Sequence, residues 1–198
     1  MRPHLVAMAM MTLGLACTSA ATPVAQPDIK QNPAPSMRYE ITATIDDAPG
    51  PFDQVVGIAD YRVTNELCVL PTPVMGARIV PEKRVPLVFK HDHDNVYRAT
   101  VFLDLFQDGD YFGKGVCHWA LSGAGMELKH NATTFSTALF HDDLVAGKIS
   151  HRYFAQASYT KVDAMRIDTG LTDSSLFHGK GGMFTVTMTA SKAREAQP

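Results

Sequence analysis

Apolar and polar positions alternate one for one along much of this chain. Residues 39–46 put Tyr39, Ile41, Ala43 and Ile45 on one side and Glu40, Thr42, Thr44 and Asp46 on the other, and residues 184–189, FTVTMT, repeat the pattern. A period of two is the mark of a half-buried strand. Weaker runs predict strands at 54–63, 85–90, 96–105, 115–121, 125–130, 133–140 and 148–159. Turn chemistry separates them, at Asp47-Ala48-Pro49-Gly50-Pro51, Pro71-Thr72-Pro73, His91-Asp92-His93-Asp94-Asn95, Asp108-Gly109-Asp110, Ser122-Gly123-Ala124-Gly125 and Gly179-Lys180-Gly181-Gly182. No long 3.6-residue period occurs; short helices are expected at Ala138–Ala146 and Thr160–Ile167. Many short strands at regular spacing predict an all-β fold, an antiparallel β-sandwich with one or two short helices.

The first residues follow a different rule. Arg2 precedes an uncharged run, Leu5 to Ala16, that ends Leu13-Gly14-Leu15-Ala16-Cys17. A basic start, a short apolar stretch and small residues at the cut form an export signal, and the stretch is too short to span a bilayer. Two outcomes are open. Cleavage before Cys17 makes it the lipid attachment site of a lipoprotein, although Gly14 stands where that signal usually carries Leu, Val or Ile. Cleavage after Ala21 leaves a soluble periplasmic product. With Thr18 after the cysteine, and no Asp, a lipidated product is expected at the outer membrane. Residues 22–36 carry Pro23, Pro27, Pro33 and Pro35 with little to bury, and read as an extended tether. One domain is expected over 37–192, with a flexible tail at 193–198.

Export changes how the cysteines are read. Besides Cys17 there are two, Cys68 and Cys117, an even pair in an oxidising compartment. Neither has a second Cys or His at zinc-ligand spacing, and the adjacent Cys117 and His118 point to opposite faces of a strand. A disulfide is expected, closing a loop of about 50 residues. Trp119 beside the second cysteine suggests an immunoglobulin-like core with a link between sheets, although that family places its Trp between the two cysteines. With 18 basic and 20 acidic residues the chain carries a formal charge of −2 and no basic stripe, which speaks against a nucleic-acid partner.

Two polar clusters are candidates for chemistry. Asp104, Asp108 and Asp110 lie within seven residues of one another, around a glycine turn, and could hold a structural calcium ion; the same residues also suit a solvated turn. His91 and His93 share a side of an extended segment, a geometry zinc accepts if other ligands converge, and one that an exposed hairpin also explains. His118, His130, His141, His151 and His178 are scattered. The chain has no G-x-S-x-G elbow, no H-E-x-x-H and no phosphate loop. Asp60, Glu66, Asp104 and Asp110 offer carboxylates without singling out a glycosidase pair. Asn131-Ala132-Thr133 matches a glycosylation sequon that a bacterial product has no use for.

The segment Asp110-Tyr111-Phe112-Gly113-Lys114-Gly115-Val116-Cys117-His118-Trp119, with Tyr61-Arg62-Val63-Thr64-Asn65-Glu66-Leu67-Cys68-Val69-Leu70-Pro71 upstream, resembles small exported proteins of Gram-negative bacteria. Several of these are similar to immunity proteins that stand beside secretion-system antibacterial toxins. The resemblance covers roughly residues 39–140 and rests on no defining motif. It implies a periplasmic, non-enzymatic protein whose partner is a cognate toxin. The partner-binding candidates are then Phe106, Tyr111, Phe112, His91 and His93, in the loops at 91–95 and 106–114, and the three aromatics suit a place in the core equally well. A structural or accessory envelope lipoprotein and a cell-wall hydrolase are the other readings.

Overall fold

The computed structural model describes residues 27–73, 75–177 and 181–193. Cys17, the export signal, the first residues of the expected tether, His178 and residues 194–198 lie outside them. Among the described residues, ten strands form two five-stranded sheets. They are β1 (Arg38–Asp46), β2 (Gln54–Val63), β3 (Glu82–Leu87), β4 (Lys90–His93), β5 (Val96–Phe102), β6 (Trp119–His130), β7 (Thr133–Phe140), β8 (Ser150–Ala155), β9 (Arg166–Asp168) and β10 (Met183–Lys192). Two one-turn helices, α1 (His141–Val145) and α2 (Gln156–Tyr159), flank β8. One sheet runs β4-β5-β1-β10-β8 and the other β3-β2-β6-β7-β9. All pairings are antiparallel except the three-residue β7–β9 ladder, which is parallel.

The alternation becomes the core. On β1 the predicted inner face, Tyr39, Ile41, Ala43 and Ile45, is buried, and β10 answers it with Phe184, Val186, Met188 and Ala190. The opposite sheet supplies Ala59, Tyr61 and Val63 from β2 and Phe135 and Leu139 from β7. Tyr61 spans the layers: its hydroxyl donates to the Phe102 carbonyl of β5 at 2.7 Å. Burial first, and the nearby Asp104 second, raise its pKa against the opposing effect of that bond. Gly57 on β2 is required by close approach, since a Cβ there would lie 2.1 Å from the Leu87 carbonyl oxygen of β3.

Three expectations change. Ser122–Gly125 is the middle of β6 and no turn. Asp60 pairs with Gly123 and Tyr61 with Leu121, so Ser122 is one residue in excess, a β-bulge. Its hydroxyl donates to the Asp60 carbonyl at 2.9 Å. The bulge switches the inward positions from Trp119 and Leu121 to Ala124, Met126 and Leu128, and that switch broke the sequence pattern into two short runs. The helix expected at Thr160–Ile167 is irregular chain leading into β9, because the Arg166 N–H donates to the Ala132 carbonyl and the ladder with β7 wins over local propensity. The turn expected at His91–Asn95 is narrower: His91 and His93 belong to β4, and only Asp94 and Asn95 turn, Asp94 with φ 45°.

Cys68 and Cys117 are joined, with Cα atoms 5.3 Å apart. The bond does not cross between sheets as an immunoglobulin-like core requires. It lies just beyond the β2–β6 ladder, which ends where Val63 pairs with Trp119, and so extends one sheet. The chain crosses that end several times, at loop 64–81, loop 103–118 and the entry to β1.

Candidate functional site

The three carboxylates of the calcium candidate are each committed to a different local task. Asp104 clamps the chain before β1: the Ser36 N–H donates to one carboxylate oxygen at 2.8 Å, the Ser36 hydroxyl to the same oxygen at 3.2 Å, and the Met37 N–H to the other at 3.0 Å. Asp108 accepts the Trp119 N–H at 2.8 Å and faces His118 Nδ1 at 2.6 Å. Asp110 accepts the Lys114 N–H at 3.0 Å. Among the described residues no three Asp, Glu, His or Cys side chains converge as a metal site would need. Asp104, Asp108 and Asp110 thus serve as three separate loop-ordering acceptors.

The Asp104 clamp also revises the tether. Residues 30–37 are strapped onto the body: the Asn32 N–H donates to the Leu105 carbonyl at 2.8 Å, and the Gln107 N–H to the Lys30 carbonyl at 3.0 Å. Ile29 packs against the core. Partial burial disfavours ionisation of Asp104, but the N–H donors of Ser36 and Met37 outweigh it and hold its carboxyl below the ordinary range. A carboxyl whose folded pKa is depressed contributes stability above its unfolded pKa and loses it as the pH falls through the lower, folded value. Asp104→Ala is thus expected to cost about 1–2 kcal/mol at neutral pH, the screened end of the range for bonds to a charged group. The gap to wild type should close below about pH 4. Urea melts across pH with hydrogen exchange of residues 30–37 measure this; a gap that persists unchanged at pH 2 contradicts the clamp.

Beside the clamp, Asn32, Leu103, Phe106, Gln107, Trp119 and His141 wall a cleft of about 520 Å³. Trp119 is mostly buried, yet among the described residues its indole N–H finds no acceptor and His141 Nδ1 no hydrogen-bond partner. Phe106 belongs to this floor at 8% exposure, its ring 5.1 Å from Tyr61 and 5.3 Å from Trp119. It is a core residue and no exposed anchor, because its ring packs on Tyr61 of β2 and Trp119 of β6 at this end. Tyr111 and Phe112 are half-buried against the same core, with the Tyr111 hydroxyl bonded to the Gln107 carbonyl at 2.8 Å.

The Asp108–His118 pair is the arrangement closest to acid–base chemistry. His118 is further fixed by its N–H, which donates to Asn65 Oδ1 at 2.7 Å. Among the described residues no hydroxyl or thiol hydrogen-bonds to that imidazole, so the pair orders the loop. His91 and His93 are exposed on β4, at the other end of the sandwich. His91 bonds the Asp94 carbonyl at 2.7 Å, and His93 lies 3.1 Å from Asp92. Asp92 is itself held by Arg98 at 2.7 Å, and the Arg98 bond lowers its pKa. The two imidazoles face different partners.

Two exposed apolar segments escaped the sequence reading, because alternation flags what is buried and says nothing of what stays outside. One is loop 64–81, which shows Leu67, Leu70, Met75 and Ile79, joined across the disulfide by Val116. The other runs from Val162 to Leu176 and shows Val162, Met165, Ile167 and Leu176. This second segment closes one side of the sandwich: Thr133 of β7 pairs with Arg166, and Tyr153 of β8 pairs with Leu171. Gly170 makes the turn between them with φ 63°, and a Cβ there would lie 2.9 Å from the Tyr153 carbonyl oxygen. Compared with protein-family models, with curated proteins and with solved structures, the chain matches none of them.

Proposed function

We propose that this is an exported binding protein that recognises a protein partner, and that the partner is an antibacterial toxin it inhibits in the periplasm. The observation that carries the binding reading is the ledge from Val162 to Leu176. Met165 is 94% exposed there, and Val162 and Ile167 stand out with it. Lys161, Asp163, Arg166, Asp168 and Asp173 surround them. Apolar anchors inside a mixed-charge rim are the anatomy of a protein interface, and contiguous apolar surface is uncommon on a protein that binds nothing. The ledge rests on rigid strands at both edges, which limits the ordering cost of docking. The toxin is suggested by the resemblance in the disulfide segments and by the export signal.

The test combines a deletion with a charged variant. Loss of the gene is expected to make cells sensitive to their sisters, and the wild-type gene to restore protection. Replacing Met165→Asp and Ile167→Asp together places two charges in the contact and is expected to weaken capture of the partner by roughly 30-fold or more, the cost of losing one hot spot of about 2 kcal/mol. Thermal stability of the variant should stay within about 0.5 kcal/mol of wild type, since both side chains are exposed. Full protection by the variant would refute the ledge, and a deletion strain that resists its sisters would refute the toxin.

A further inference from the structure

We infer that loop 64–81 is a membrane-docking loop, which seats shallowly in the lipid surface to which the chain is tethered. The inference rests on Cys17 as the lipid attachment point. Its starting observation is the course of the strap. Gln31 pairs antiparallel with Phe106, and the flanking bonds join Lys30 to Gln107 and Asn32 to Leu105. Reading the register backwards directs the chain before Lys30 towards Asp108 and Gly109. Gly109 pairs with Cys117 through reciprocal bonds of 2.9 and 3.3 Å, and Cys117 is joined to Cys68. The N-terminal segment therefore leaves the body at the end that carries loop 64–81. About 12 residues separate Cys17 from Ile29, a span of at most ~43 Å at full stretch. A lipid on Cys17 draws this end towards the bilayer.

The loop has the chemistry of a lipid contact, which the ledge does not. From Leu67 to Pro81 the only charged residue is Arg78, and its guanidinium turns back to the Val69 carbonyl. Met75 is 84% exposed, and Leu67, Leu70, Ile79 and Val116 are exposed as well. The base is fixed. Asn65 donates to the Val116 carbonyl at 2.8 Å and accepts from the His118 N–H at 2.7 Å, the Thr64 N–H donates to the His118 carbonyl at 2.9 Å, and the disulfide locks the pair. A protein-binding surface keeps a polar rim. A loop of uncharged apolar side chains on a rigid base suits the acyl boundary, where each buried methylene adds to attachment. Lipid docking also leaves the ledge facing away, because β9 pairs with the start of β7, at the opposite end of the strands.

The full chain carrying Met75→Trp, or Val162→Trp on the ledge, is reconstituted with phosphatidylethanolamine and phosphatidylglycerol vesicles that contain brominated acyl chains. The emission of the parent chain, from Trp119, is subtracted. Met75→Trp is expected to shift to the blue and lose most of its emission, and Val162→Trp to change little. Mass spectrometry of the N-terminus is run on the same material. An unlipidated N-terminus with a quenched Met75→Trp retires the anchor and keeps the loop. A lipidated, vesicle-bound chain whose Met75→Trp is unquenched overturns the loop. Emission already blue without vesicles, and insensitive to bromine, also overturns it and assigns the loop to a second copy or another segment of the chain. Equal quenching at both sites overturns it as well.

Discussion

Phe135→Ala is expected to destabilise the fold by about 3–5 kcal/mol, the range for deleting a buried phenyl ring. Phe135 is 1% exposed and stands where five segments meet. Its ring lies 5.0 Å from Phe184 of β10 and 5.4 Å from Phe154 of β8, both edge-on, in the facing sheet. Phe52, before β2, lies 6.0 Å away, and Tyr159 of α2 lies 6.5 Å away. Such pairs add to area burial through their quadrupoles, so the truncation removes several aromatic contacts and leaves a cavity between sheets. For a domain of this size the loss corresponds to a fall in melting temperature of about 6–20 °C. Phe135→Leu retains most of the volume and is expected to cost less. Phe140→Ala is the control: it lies on the same strand, but its side chain is exposed and should be nearly silent. Denaturant melts of the three variants measure the ordering, and similar losses at Phe135 and Phe140 would contradict the packing described.

That core was legible because alternation is a direct imprint of burial. The inner face of β1 follows from reading every second residue, and the bounds of β2 and β7 are those expected. Three kinds of feature were not legible. A bulge inverts the parity of a strand, so β6 read as two runs around a false turn at Ser122–Gly125. A short strand held by its neighbour, such as β9, carries no pattern of its own in three residues. Long-range capping leaves no local signal: Asp104 closes a loop with Ser36 and Met37, 68 and 67 residues away, where proline content had suggested a free tether. The site residues divide on the same principle. Cys68 and Cys117 were found by counting, on the expectation of export to an oxidising compartment. Phe106 stood open between core and partner contact, since an aromatic among charges looks the same in sequence whether it points inward or out; its burial decides for the core.

Breaking the Cys68–Cys117 bond, by Cys68→Ala with Cys117→Ala, is expected to cost up to about 4 kcal/mol on the chain-entropy account, because it frees a loop of some 50 residues in the unfolded state. The native contacts around it reduce how far the folded end can loosen. The ladder between β2 and β6 continues to the pair Val63 and Trp119, and the Thr64 and Asn65 bonds to residues 116–118 remain without the sulfurs. Strands β2 and β6 should therefore stay paired and the fold survive, with a melting temperature lower by up to about 16 °C. What the bond controls most is the far side of its loop, since Cys68 is the last buried anchor, with Val69, before the exposed Leu70, Met75 and Ile79. Hydrogen exchange should accordingly rise most over 66–81 and least over β1 and β10, whose ladder runs without interruption from Tyr39 to Asp46. Melts with and without reductant, followed by exchange on the reduced protein, separate these effects. An unchanged melting temperature would mean that the hydrogen bonds between residues 64–65 and 116–118 suffice to hold this end and that the disulfide constrains little, and exchange that rises evenly over both sheets would mean that its loss is felt by the whole domain and not by this loop.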